Sequence, residues 1–297
     1  GGHDFTECTE EAFRSIINAH LGHGATSFYP TISSSPFEKL HQAAQVCEQL
    51  MAEPDSPVLG LHIEGPYLNK KMAGEQFADQ VKEIDGQEYR ELVESTRCIR
   101  RWDASPELPG ALEFASYLRE KRHTGSRIAY RSRIRRHPCR LRSRIYPCRP
   151  LLQRHARLPQ TPRVQVRRHC GKRLPDRRHD HRTHCRRHPP AVHHRHIQAR
   201  SKLKGVEHTC LVTDALSCAA TEGKEINDPR YIIEDGVCKL ADRSSLAGSI
   251  ATMDVLVRTM VKAGIPLGDA LRMASETPAR IMGVYDRKGS LQKDKDA

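Results

Sequence analysis

Two acidic residues stand where mixed α/β proteins carry out acid–base chemistry. Glu64 closes the apolar run Val58-Leu59-Gly60-Leu61-His62-Ile63 and is followed by Gly65-Pro66, which ends the run. Asp214 closes Thr209-Cys210-Leu211-Val212-Thr213 in the same way. A carboxylate at the carboxyl end of a buried parallel strand points into the mouth of a sheet or barrel, where such folds keep their reactive groups. The plain alternative for each acid, taken singly, is a solvated residue that opens a loop.

The elements that would hold these acids are legible around them. Glu10 to His23 places Ala12, Phe13, Ile16, Ile17 and Ala19 at helical spacing, with Thr9 as its cap. Gly24 to Thr31 reads as a short strand ending in a loop, and Ser35-Pro36 opens a second helix through Ala43, Ala44, Val46, Cys47 and Leu50. The run ending at Glu64 has the form of a buried parallel strand. Helix, strand, helix, strand in close succession predicts a parallel sheet with helical crossovers. The pattern returns after Lys202: a strand over Thr209–Thr213, then helices over 252–263 and 267–282, the last stopped by Gly283.

Charge divides the chain more sharply than hydropathy does. The 297 residues carry a net +13. Residues 123–200 alone hold 22 Arg and one Lys against two Asp, which makes +21, so the other 219 residues carry −8. The basic character belongs to one block. No apolar run reaches the length of a membrane helix, and the opening Gly1-Gly2-His3-Asp4 has no charged-then-apolar signal pattern. The ten cysteines include no CxxC pair and no regular spacing, so they read as reduced thiols of a cytoplasmic protein.

Taken together, four stretches resemble the N-acetylglucosamine-6-phosphate deacetylase family of the metal-dependent amidohydrolases. They are Leu61-His62-Ile63-Glu64-Gly65-Pro66-Tyr67, Leu211-Val212-Thr213-Asp214-Ala215, Leu246-Ala247-Gly248-Ser249 with Thr252-Met253-Asp254, and Met273 to Arg280. The resemblance covers about 1–122 and 202–297. It implies an α/β fold, a (β/α)8 TIM barrel with a small β-sandwich, usually assembled as a homodimer. It also implies hydrolysis of the N-acetyl group of N-acetylglucosamine 6-phosphate to acetate and glucosamine 6-phosphate. By the same resemblance Glu64 holds a divalent metal, zinc or iron, together with two histidines further along the chain. Asp214 is then the general base that activates water and afterwards protonates the amine. Glu75 and Gln76, after Gly74, and the stretch Leu246, Ala247 and Gly248 fall where the family contacts its sugar phosphate.

The block 123–200 breaks this pattern. It has no Phe, Trp, Met, Asn or Glu, and eight scattered Pro, a composition that cannot bury enough apolar surface to fold. Its 11 histidines lie in none of the family's histidine motifs. A shifted reading frame accounts for both facts. Codons chosen for Ala129–Arg136, with the first base dropped, spell His-Thr-Glu-Ala-Glu-Tyr-Glu-Gly, which resembles the first metal-histidine motif. In the same register, 150–156 spells His-Phe-Tyr-Asn-Ala-Met and 186–191 spells Asp-Gly-Ile-His-Leu, in the family's order. The chain is thus expected as an amino-terminal barrel part (1–122), an aberrant segment (123–200) and a carboxy-terminal barrel part (201–297), starting and ending inside the family's length. Without its two histidines the expected product is impaired. An arginine-rich arm that binds nucleic-acid phosphates is one rival reading, against which Tyr130 and Tyr146 are the block's only aromatic Phe, Trp or Tyr residues; another amidohydrolase is the second, against which the Leu-x-x-Glu-Gly-Pro motif argues. Nor do Cys139, Cys148, Cys170 and Cys185 have the spacing of a zinc module.

Overall fold

Thr9 is extended, and its hydroxyl accepts the Ala12 amide at 3.2 Å, so α1 (Glu10–Leu21) starts at the expected cap. The computed structural model describes residues 1–70, 76, 79–123, 129–132, 204–221, 229–234, 237–243 and 247–296. Pro36 precedes α2 (Phe37–Met51), whose Leu40, Ala43, Ala44, Cys47 and Leu50 form the buried stripe. Asp85 caps α3 (Gly86–Ser95) through the amides of Gln87 and Glu88, and α4 covers Ala111–His123.

These helices alternate with β1 (Thr31–Ser33), β2 (Leu61–Glu64), β3 (Ile99–Ala104) and β4 (Ala129–Ser132). The four strands pair in chain order and all in parallel, so α2, α3 and α4 serve as the crossovers that parallel pairing requires. The expected α/β fold with a parallel sheet is therefore present. Register sorts the residues into rows across the sheet. Ile32, Ile63 and Trp102 share one row, and each is fully buried against the helix side. Thr31, His62 and Arg101 form a row on the opposite face, and Ser33, Glu64 and Asp103 form the next row on that same face. One side of the sheet is apolar and the other is polar and ionisable.

In the carboxy-terminal part, β5 (Tyr231–Glu234) and β6 (Val237–Leu240) form an antiparallel hairpin. Three helices follow: α5 (Met253–Lys262), α6 (Leu267–Ala274) and α7 (Glu276–Met282). Leu256, Met260, Ala263, Ile265, Ala270 and Met273 close a second core around Leu211. The two parts touch: the Gly2 amide donates to Ser217 O at 2.9 Å, and His23 Nδ1 lies 3.4 Å from Asp254 Oδ1.

Five expectations need correction. The first strand lies at Thr31–Ser33, with Phe28 contributing a single bridge to Val58, because Pro30 has no N–H for a ladder. The second strand begins only at Leu61, since Gly60 at φ +150° departs from strand geometry. Thr209–Thr213 forms no strand among the described residues; the pairing made there is one bridge further on, Ala215 to Ser249. The stretch 267–282 is two helices, because Pro278 cannot donate to Ala274 and its ring crowds that carbonyl. Finally, the sheet's fourth strand comes from 129–132, inside the block expected to be aberrant, since a backbone ladder needs no particular side chains. Residues 124–128 and 133–200 of that block lie outside the described residues.

Candidate active site

Glu64 sits at the carboxyl end of β2, 8% exposed, flanked across the sheet by Ser33 and Asp103. The chain leaves it through a tightly tied loop. The Gly65 amide donates to Asp103 O at 3.1 Å, and the Trp102 indole N–H donates to Gly65 O at 2.7 Å. Tyr67 then stacks on Trp102 at 5.8 Å, and Phe114 meets both rings edge-on. Gly65 has φ +95°, and a Cβ there would come within 2.2 Å of Ser34 Oγ. Glycine is therefore required immediately after the acid.

Asp103 and His62 carry the rest of the polar face. Arg101 donates to Asp103 through Nε and one terminal nitrogen, each at 3.0 Å, a bidentate pair formed two residues apart on one strand. His62 Nε2 faces Asp103 Oδ1 at 3.6 Å, and its Nδ1 is 3.0 Å from the Thr31 hydroxyl. Burial by itself would raise the Asp103 pKa. The Arg101 guanidinium, with His62 close by, outweighs it, and the carboxyl titrates well below the ordinary range. A depressed carboxylate stabilises the fold fully above its unfolded pKa of about 3.9, and that contribution is lost as pH falls further. Urea unfolding midpoints are thus expected to be insensitive to this group down to about pH 4 and to drop below it. Asp103→Asn should lower the midpoint at neutral pH and flatten the acid limb; an unchanged acid limb would remove Asp103 as its cause.

Gln76 lies 9% exposed beside the same strand ends, where its Oε1 accepts the Ser34 amide at 2.7 Å. Glu64 and Gln76 are therefore gathered at neighbouring strand ends. Asp214 belongs to a second group. It is half-buried with φ +48°, a left-handed conformation that aspartate tolerates better than most residues. Its carbonyl accepts the Ser249 amide at 3.1 Å, and Ser249 O accepts the Leu216 amide at 2.9 Å. Ala247 and Gly248 run alongside. The Ala247 amide is spent on Cys238 O at 3.0 Å, and a Cβ on Gly248 would stand 2.7 Å from Leu216 Cγ. Glu75 and Leu246 lie outside the described residues.

The reading of the sequence missed Asp103, Arg101 and the partnership of His62 with Thr31. The available signal was period-2 alternation in Arg101-Trp102-Asp103, where an apolar residue separates two charged ones. It also missed the β5–β6 hairpin, which the Asp235-Gly236 dipeptide between two alternating stretches signals.

The donors among the described residues do not by themselves complete a divalent-metal site. Among the described residues no group of three or more His, Cys, Asp or Glu side chains could hold one. Both Asp103 oxygens face Arg101, and both His62 nitrogens are directed at Asp103 and Thr31. Six cysteines, 8, 47, 98, 210, 218 and 238, are buried. No helix among the described residues is long and apolar enough to cross a membrane.

Residues 191–297 match the model of the amidohydrolase family. Over its whole length the chain is homologous to proteins named N-acetylglucosamine-6-phosphate deacetylase. It is 24% identical to that of Haemophilus influenzae, covering all of this chain and 77% of the relative. An N-acetylgalactosamine-6-phosphate deacetylase from Escherichia coli is 27% identical over 92% of this chain and 72% of its own. The fold is that of the N-acetylglucosamine-6-phosphate deacetylase solved from Pasteurella multocida, with a TM-score of 0.74 at 21% identity over all of this chain and 77% of the other.

Proposed function

We propose that the gene encodes an N-acetylglucosamine-6-phosphate deacetylase, a hydrolase of amino-sugar catabolism that releases acetate and glucosamine 6-phosphate. The observation that carries this reading is homology to such deacetylases over the full chain, supported by the resemblance of the motifs around Glu64 and Asp214 to those of the family. In this reading the four sequential parallel strands are part of a (β/α)8 barrel, with 1–122 and 201–297 as its two portions around 123–200. A free phosphorylated sugar as substrate suits a cytoplasmic enzyme.

The amide is broken by water. Asp214 takes a proton from the attacking water as its oxygen bonds to the acetyl carbon. It returns that proton to nitrogen as the C–N bond breaks, leaving acetate and a free amine. Glu64 supplies negative charge at the mouth, Gln76 borders it, and Ala247 and Gly248 line the sugar beside Asp214, with Glu75 and Leu246 assigned to the same contacts by resemblance. Family members add a divalent metal, zinc or iron, that acidifies the water. The described residues of this chain do not complete its ligand set, so no step is routed through it.

The polypeptide as written is expected to be impaired, because its block 123–200 lacks the family's histidine motifs. The test is acetate release from N-acetylglucosamine 6-phosphate. This chain should show none above the no-enzyme blank. A gene with one base removed ahead of codon 129 and one restored after the block should gain turnover that Asp214→Asn abolishes. Full turnover by the chain as written would overturn the impairment, and silence from both genes would overturn the assignment.

A further inference from the structure

Two thiols in the amino-terminal core take no part in the proposed hydrolysis. Cys47 lies in the carboxyl half of α2, and Cys98 lies immediately before β3. Both are free, fully buried and members of one core cluster. Hydrogen bonds tie the two pieces of chain together around them. Cys98 Sγ donates to Ala44 O at 3.5 Å, and Ala44 lies three positions before Cys47 on the same buried stripe of α2. Glu48, the residue after Cys47, accepts the Thr96 hydroxyl and the Arg97 amide, each at 2.6 Å. Thr96 Oγ1 in turn stands 3.1 Å from Cys98 Sγ. The two thiols also act directly on each other. The Cys98 thiol, with burial, pushes the Cys47 thiol far up. The Cys47 thiol, with the Thr96 hydroxyl, holds the Cys98 thiol below its ordinary value against the effect of burial. One sulfur is thus the readier to ionise, and the other keeps its proton beside it, which divides the pair into nucleophile and partner.

We propose that Cys47 and Cys98 form a redox pair, in which a hydroperoxide converts the two thiols to a disulfide that fastens α2 to the segment entering β3. In the first step the Cys98 thiolate attacks hydrogen peroxide. An S–O bond forms, the O–O bond breaks, and the departing oxygen takes up the proton lost by Cys98 and leaves as water. In the second step the Cys47 sulfur attacks the Cys98 sulfur. The S–S bond forms, the S–O bond breaks, and the hydroxyl leaves with the Cys47 proton as a second water. Each sulfur gives up one electron, and one peroxide is reduced to two waters. Neither sulfur is open to a bulky oxidant, so a small hydroperoxide is the class of oxidant the site admits. The closed loop encloses β2 and α3 and ends beside Ile99, the register partner of Leu61 on the strand that carries Glu64. Such a link restricts the unfolded chain, so the oxidised form is the more resistant to denaturant.

The experiment treats the reduced full chain with hydrogen peroxide in the absence of denaturant, blocks remaining thiols by alkylation and maps the peptides by mass spectrometry. The expected product is a linked pair of peptides carrying Cys47 and Cys98, lighter by two hydrogen atoms than the reduced pair and separated by dithiothreitol. Urea unfolding, followed through Trp102, the single tryptophan of the sequence, should show the midpoint of the oxidised chain raised by roughly 1 M and restored by dithiothreitol. Cys47→Ala should stop the reaction at a Cys98 sulfenic acid that dimedone traps, and Cys98→Ala should leave no dimedone adduct on Cys47. The linked pair is read in the unmodified chain, so poor folding of either variant leaves that measurement intact. Two results would overturn the proposal: peroxide treatment that yields no Cys47–Cys98 link, or a link that forms and leaves the urea midpoint unchanged or lower.

Discussion

Trp102→Ala is expected to unfold the amino-terminal sheet under conditions where the unmodified chain holds. Trp102 is fully buried and is the largest side chain in the row Ile32, Ile63, Trp102 that faces the helices. Truncating a buried Trp to alanine costs about 3–5 kcal/mol, from lost apolar transfer and the cavity left behind. The indole N–H also holds Gly65 O at 2.7 Å, and removing the donor leaves a buried carbonyl unpaired, roughly another 1–3 kcal/mol. Tyr67 and Phe114 lose the ring they pack on, and with it the loop that leaves Glu64. Set against a typical total of about 5–15 kcal/mol, the loss consumes much of the stability of this part. Circular dichroism in urea reads the result, since the fluorescent reporter is gone. Trp102→Phe should fall between the two. An alanine variant that melts with the unmodified chain would show that this row does not hold the sheet together.

The second large effect is expected at Gly60. A Cβ built there would lie 2.1 Å from Arg100 Cγ and 2.7 Å from Cys98 O, with the backbone at φ +150°. The arginine stem can swing away, but the Cys98 carbonyl cannot. It accepts the Leu61 amide at 2.8 Å and lies immediately before β3. Gly60→Ala therefore has to push β2 off β3 next to the irregularity at Leu61–His62, and it meets left-handed backbone strain as well. Overpacking of about 1–3 kcal/mol and strain of about 1–2 kcal/mol act together. Gly248→Ala is the internal comparison. Its clash is with the side chain of Leu216, which can rotate, and no positive φ is involved, so its cost should be clearly smaller. Equal midpoints for the two variants would contradict the distinction between a backbone obstacle and a side-chain one.

Much of the local structure could be read from residue types. Thr9 capped α1, Pro36 preceded α2, and Gly283 took up the left-handed conformation, φ +72°, that ends α7. Glu64 stands at a strand end, as Ile63-Glu64-Gly65-Pro66 implied. The failures also have particular causes. Val58–Glu64 looked apolar throughout, yet His62 and Glu64 point to a polar face and only Leu61 and Ile63 to the helices. Four residues of strand contain too few alternations to reveal this. The strand expected before Asp214 has the right composition, but pairing depends on a neighbour, and the bridge found among the described residues joins Ala215 to Ser249.

The chain's sequence alone determined its helix ends, the strand-closing Glu64 and the ordered motifs that resemble those of the deacetylases. Those features depend on side chains and amides a few residues apart, and sequence distance measures such relations directly. Tertiary structure decided which face each strand buries, that Asp103 is the register neighbour of Glu64, and that Arg101 and His62 are drawn to Asp103. Those outcomes follow from strand register and desolvation, through-space quantities set only when β1, β2 and β3 lie side by side.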